Sequence, residues 1–142
     1  MIRTLTSYFF DGNERVYLNT FYWRPTDSYQ DFYTDTNING KRMDKTDIYL
    51  LTSKHTFSAA EEFTYNLNNL KRATIIGETT GGGVHPGSTQ RINEAFSIFL
   101  PQGRAINPIT KTNWEGTGIE PHIFVEANKA LEKAMELVKN NK

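Results

Sequence analysis

Three stretches decide the fold: Asp47-Ile48-Tyr49-Leu50-Leu51-Thr52, Ser58-Ala59-Ala60-Glu61-Glu62-Phe63 and Ala73-Thr74-Ile75-Ile76-Gly77. The first is a short, continuous apolar run, the pattern of a strand covered on both faces in a parallel sheet. In the second, Ser58 and Glu61 have the spacing of a capping box, which starts a helix at or just before Ser58. Phe63, Leu67 and Leu70 then recur at helical spacing, and Lys71 and Arg72 suit the negative end of the helix dipole. The third stretch reads as a second buried strand. Strand, helix, strand in this order is a βαβ unit, with a right-handed crossover expected.

Working outward, residues 16–23 are rich in β-formers and read as a strand. Residues 24–46 are polar, carry turn signals, and are expected to form a loop excursion. Downstream, a glycine-rich loop runs from Gly77 to Gly87. Antiparallel strands follow around residues 90–93, 96–100 and 104–107, joined by turns. Residues 108–122 read as a loop, and a helix is expected from about Glu126 to Lys139. Its apolar face would comprise Ala127, Ala130, Leu131, Ala134, Leu137 and Val138. The fold class is α/β: a βαβ core, an antiparallel hairpin and a C-terminal helix.

Composition narrows the function. The 142 residues suffice for one compact domain. Sixteen basic and sixteen acidic side chains cancel, and without a basic stripe a nucleic-acid partner is not expected. Cysteine is absent, which excludes disulfides and thiol catalysis. No apolar run approaches the length of a membrane span. The three histidines lie far apart without metal-ligand spacing, so neither a metal nor another cofactor is expected. The glycine run lacks a Gly-Lys-Ser/Thr ending and leads into strands, which excludes a phosphate loop. Nine Phe, seven Tyr and two Trp are many for this length, and their concentration before residue 35 calls for a packing partner, expected in part from sequence outside this chain.

The strand-to-helix junction is the place for chemistry. Ser58 would sit at the carboxyl edge of the sheet, where open α/β folds place ligands. Free N–H groups and the helix dipole favour an oxyanion there, and the Ala59 N–H is the candidate donor. A Ser-x-x-Glu at a helix start is equally the pattern of a simple N-cap. Glu61 and Glu62 point about 100° apart on the helix, so they do not form an acid/base pair.

Four ordered motifs go further: Thr56-Phe57-Ser58-Ala59-Ala60-Glu61-Glu62-Phe63, the run Gly77 to Gly87, the run Pro101 to Pro108, and Asn113-Trp114-Glu115 through Pro121. Together they resemble the C-terminal-processing (tail-specific) serine peptidase family, most of all the branch related to interphotoreceptor retinoid-binding protein and the tricorn core. The resemblance runs from about residue 10 to residue 138. It implies a crotonase-like or ClpP-like stack of ββα units, of which this chain is the C-terminal half of the catalytic domain. It also implies a serine-type endopeptidase acting through an acyl-enzyme. Ser58 matches the family nucleophile and Ala59 the oxyanion-hole position. Gly82, Gly83 and His85 fall where an extended substrate is expected to pass. One branch of the family activates its serine with a lysine, but the matching position here is Gly83. The other uses a histidine oriented by a glutamate, which falls at Glu115. That histidine belongs to the upstream half, so the fragment alone is expected to be inactive or nearly so. His55 and His85 are expected in turns, and His122 in a structural role. Arg104 and Asn107 are expected either to bind substrate backbone or to brace the loop that holds Glu115, with bracing favoured. Implied partners are a peptide or protein substrate, the upstream half of the domain and, through an uncovered apolar face, a second copy. A cell-envelope or secreted location is expected over a cytoplasmic one. The alternative is a non-catalytic domain for a retinoid- or fatty-acid-like ligand, lined by the aromatic first third.

Overall fold

The computed structural model describes residues 2–140. A short helix α1 (Ile2–Ser7) leads to the antiparallel pair β1 (Tyr17–Trp23) and β2 (Ser28–Tyr33). The turn between them is a single 3₁₀ turn, closed by Asp27 in the left-handed region. Six residues of the expected 24–46 loop are therefore a strand. Ser28-Tyr29-Gln30-Asp31-Phe32-Tyr33 lies on an exposed ribbon, so its inward positions carry no aliphatic run to announce it. The aromatic density of the first third has its packing partner here. Tyr17 stacks on Tyr33 at 4.7 Å, Phe32 meets Phe21 edge-on at 5.5 Å, and Tyr29 tilts against Tyr22 at 4.9 Å. Such cross-strand pairs stabilise a ribbon by roughly 0.2–1 kcal/mol each.

The expected βαβ unit is present: β3 (Tyr49–Thr52), α2 (Ala59–Asn69) and β4 (Thr74–Gly77), with β3 and β4 parallel. Ile75 and Ile76 face opposite sides of β4 and both are fully buried. Ile75 packs with Val84, Ala105, Trp114 and Ile119 on one side. Ile76 packs with Ala130 and Ala134 on the other. β4 is thus covered on both faces, as its apolar run requires. β3 is less covered: it lies at one edge of this sheet, and Leu51 is exposed.

Beyond the glycine loop, β5 (Gly87–Arg91) and β6 (Ser97–Pro101) form an exposed hairpin. β7 (Gly103–Ile106) leaves that hairpin and pairs antiparallel with β1, giving a second sheet of order β2-β1-β7. The two-residue strand β8 (Ile123–Phe124) adds a third member to the parallel sheet. The closing helix α3 (Ala130–Asn140) is preceded by a 3₁₀ turn at Ala127–Lys129. Its inward face is narrower than the sequence suggests: Ala130, Ala134 and Leu137 pack on Ile76, while Ala127 and Leu131 are exposed. Among the described residues no helix is long and apolar enough to cross a membrane.

Arg72, just past α2, ties this core to the segment that precedes β3. Its guanidinium donates to the carbonyls of Phe9, Met43, Asp44 and Thr46 at 2.7–2.9 Å. Charge-assisted bonds of this kind contribute roughly 1.5–3 kcal/mol each before redundancy and solvent access are counted. Arg72→Ala should therefore lower stability by about 2 kcal/mol, read as a lower urea midpoint at unchanged m-value. A midpoint within error of wild type would show these bonds to be replaced by water at no cost.

Candidate active site

β3 ends at Thr52, and the chain turns tightly before α2. The Thr56 N–H donates to the Ser53 carbonyl at 2.9 Å, and the Ser53 N–H to Thr56 Oγ1 at 3.0 Å. Ser58 follows at φ 55°, ψ −119°. An ordinary N-cap has extended dihedrals, and a β-carbon at positive φ is strained by roughly 1–3 kcal/mol. Ser58 is exposed. The Ala59 N–H has no hydrogen-bond partner among the described residues. A hydroxyl and a free N–H thus stand together at the positive end of α2.

The strain is held by Glu61. Its carboxylate is fully buried and accepts four hydrogen bonds. The Ser58 N–H donates at 2.9 Å, closing the capping box from the helix side. The Thr80 hydroxyl donates at 2.6 Å, and the N–H groups of Gly82 and Gly83 at 2.7 and 2.9 Å. Thr80 Oγ1 in turn accepts the Ile119 N–H at 2.8 Å. One carboxylate therefore fixes the serine turn, the glycine loop and, through Thr80, the loop after Trp114.

The glycine loop lies on Phe57. A Cβ at Gly83 would lie within 2.0–2.7 Å of the outer atoms of the Phe57 ring, so a side chain here would require that ring to move. Gly83 itself carries no side chain, so this position supplies no lysine. Gly82 has φ 82°, and a Cβ there would lie 2.9 Å from the Gly118 nitrogen. Gly82 and Gly83 both give their N–H groups to Glu61, and their carbonyls accept from Gly116 N–H and Trp114 Nε1. Their backbone groups are spent inside the loop, so they shape its path and leave no N–H for a substrate strand.

Next along the loop, the Val84 N–H donates to Glu115 Oε2 at 2.7 Å. Glu115 Oε1 has no partner among the described residues. The Asn113 side chain braces this loop by accepting the Glu115 N–H at 3.1 Å and donating to the Ala105 carbonyl at 2.8 Å. Asn107, buried, accepts from the N–H groups of Ile109 and Thr110, so it braces the loop as the sequence suggests. Arg104 instead lies over the Tyr22 ring at 5.3 Å.

Ser58 and Ala59 open onto a hollow of about 110 Å³ walled by Phe21, Val84, Pro86 and Trp114. Glu115 is bonded to the backbone of one wall residue and adjacent in sequence to another. Glu62, which the sequence reading set aside, also lines the hollow. Asn19 Nδ2 donates to its Oε1 at 2.9 Å, and burial pushes its carboxyl above the usual carboxylate range while the Asn19 bond pulls it back. A signal was available: Glu62 is four residues after Ser58, hence on the same helix face.

None of the three histidines faces this hollow. His85, half-buried between Val84 and Pro86, lines a separate cavity with Tyr22, Arg24 and Tyr29, and its buried Nδ1 has no hydrogen-bond partner among the described residues. His55 is exposed beside Lys54, Glu78 and Glu126. His122 Nδ1 accepts the Ile75 N–H at 2.9 Å, a structural role at the sheet.

The fold has close relatives in shape. A putative S41 protease from Bacteroides fragilis superposes with a TM-score of 0.77 at 16% identity, over 99% of this chain and 41% of that one. The photosystem II D1 C-terminal processing protease gives 0.67 at 19%, over 87% and 30%. A lipoprotein from Streptococcus agalactiae gives 0.67 at 16%, over 97% and 48%. The chain thus spans less than half of each structure. At these identities the likeness establishes the fold, and the sequence match establishes the family. The Peptidase family S41 model covers residues 4–125, which takes in the Ser58 turn, the glycine loop and Glu115; the chain belongs to peptidase family S41.

Proposed function

We propose that this chain carries the nucleophile of a serine peptidase that hydrolyses peptide bonds through an acyl-enzyme on Ser58. The observation that carries this reading is the strained Ser58 turn, which stands beside a free Ala59 N–H and opens on a hollow. Ser58 Oγ attacks the scissile carbonyl carbon and gives up its proton to a base. The Ala59 N–H receives the developing oxyanion, in the direction favoured by the α2 dipole. The amine leaves with a proton from the same base, and water then releases the acyl group. Glu115 orients the base. Its Oε2 is pinned to Val84, and Oε1 is left to accept an imidazole N–H, which would fix the tautomer and stabilise the imidazolium.

The base itself is a histidine supplied from outside this chain, which serves as the C-terminal half of the catalytic domain. Two observations support this: no histidine here faces the hollow, and the chain spans less than half of the structures it matches. Alone, the chain is inactive or nearly so. Its substrate is a peptide or protein. The exposed apolar residues Phe96, Ile98, Phe99 and Leu100 on the β5–β6 hairpin suit burial by the upstream half or by a second copy. An envelope location draws support from the likeness to a lipoprotein. A retinoid-like binding role has less support, because the rings of the first third pack against one another.

A fluorophosphonate probe should label the full-length protein at Ser58, and Ser58→Ala should abolish the label. Absence of labelling in buffers where a control serine hydrolase reacts would overturn the peptidase reading. Glu115→Gln should lower kcat/KM by about 10²–10⁴-fold with little change in folding, since it leaves the imidazole in the wrong tautomer. An unchanged rate would reduce Glu115 to a loop brace. Glu61→Gln replaces an acceptor of four bonds with a group that points an amide at buried N–H donors. It should destabilise the protein by about 2–4 kcal/mol in urea unfolding and weaken Ser58 labelling. Full stability with full labelling would show that the serine turn does not depend on Glu61.

A further inference from the structure

The hollow beside Ser58 contains a carboxylate that neither nucleophile nor oxyanion donor employs. Glu62 lines it one helical turn beyond Ser58, among the apolar walls Phe21, Val84, Pro86 and Trp114. Among the described residues its carboxylate accepts one hydrogen bond, from Asn19, itself only 2% exposed. No lysine, arginine or histidine among the described residues pairs with it. Burial pushes its carboxyl up, the mark of an acidic group short of solvation. A carboxylate in an apolar recess is stabilised by a cation that arrives along those walls. Lysine has that form, with an aliphatic stem that packs on apolar surface and a compact charged head with three donors. A hollow of about 110 Å³ exceeds the ~10–15 Å³ that one water requires, and suits one slender side chain better than a wide guanidinium.

We propose that Glu62 is a specificity-determining residue that draws a lysine side chain of the substrate into the hollow beside Ser58. This rests on the peptidase reading of Ser58. The residue concerned is the one just before the scissile bond. Its carbonyl must meet both Ser58 Oγ and the Ala59 N–H, so its side chain is the one within reach of the hollow they line.

The test uses the full-length protein and peptides that differ only at that residue, with lysine, norleucine, arginine or glutamate. Norleucine keeps lysine's stem and lacks its charge. The expected result is a kcat/KM for lysine at least tenfold above norleucine, with arginine lower than lysine and glutamate lowest. Glu62→Gln should bring the lysine-to-norleucine ratio to about one or below. Glu62→Lys should turn the charge preference toward glutamate. A wild-type enzyme that cleaves the series with lysine no better than norleucine overturns the proposal and leaves the peptidase reading intact. A preference for lysine that survives in Glu62→Gln, with that variant folded by circular dichroism, overturns it too. Cleavage of no peptide by a protein whose Ser58 still takes the fluorophosphonate also counts against it. Failure of both cleavage and labelling defeats the underlying reading itself.

Discussion

The Glu61 carboxylate is the constraint on which the rest of the site depends. A buried charge is tolerated only when its lone pairs are filled. Here three backbone N–H groups and one hydroxyl fill them, and they come from two different segments. The glycine loop has neither regular structure nor an apolar core of its own between Gly81 and Val84. What sets its path is the list of donors that Glu61 must collect. Thr80 extends the same set to Ile119, and Val84 extends the loop to Glu115. Ser58 and Glu115 are far apart in sequence, yet both are tied to one loop, Glu115 directly through Val84 and Ser58 through Glu61.

Ser58 has the opposite energetics. Its backbone is held where a side-chain-bearing residue is strained, at roughly 1–3 kcal/mol. A helix start needs no such distortion, because serine caps helices from extended dihedrals. The capping reading is correct as far as it goes: Glu61 does take the Ser58 N–H. It leaves the positive φ unexplained. Lifting the hydroxyl over the helix terminus, beside a free Ala59 N–H, gives the strain a purpose.

The parallel core was legible because burial writes itself into composition. Ile75 and Ile76 are adjacent apolar residues on opposite faces, and only a strand covered on both sides calls for that. β2 was not legible, since an exposed ribbon needs no aliphatic alternation and its stabilising partners are aromatic rings on another strand. Nor was the pairing of β7 with β1, which joins segments eighty residues apart and has no local signal. At the site, Ser58, Ala59 and Glu115 came from motif order. The shared hollow came only from coordinates. Glycines illustrate the limit well. Sequence suggests that Gly82 and Gly83 admit a substrate strand, whereas their N–H groups are already taken by Glu61.

Phe57 bears on how the serine would be activated in the peptidase reading. Its ring rests where a side chain at Gly83 would project, so the loop cannot present a lysine toward Ser58 without expelling the ring. The same ring is more than half exposed, so it is held by the loop it covers and not by a deep core. On the peptidase reading the base comes from outside this chain, and Glu115 keeps one oxygen without a partner among the described residues. Loop glycines, aromatic lid and glutamate are then parts of one arrangement. On the peptidase reading, a serine without a lysine at this loop position depends on a partner from elsewhere in the fold, and Glu115 is the group proposed to meet it.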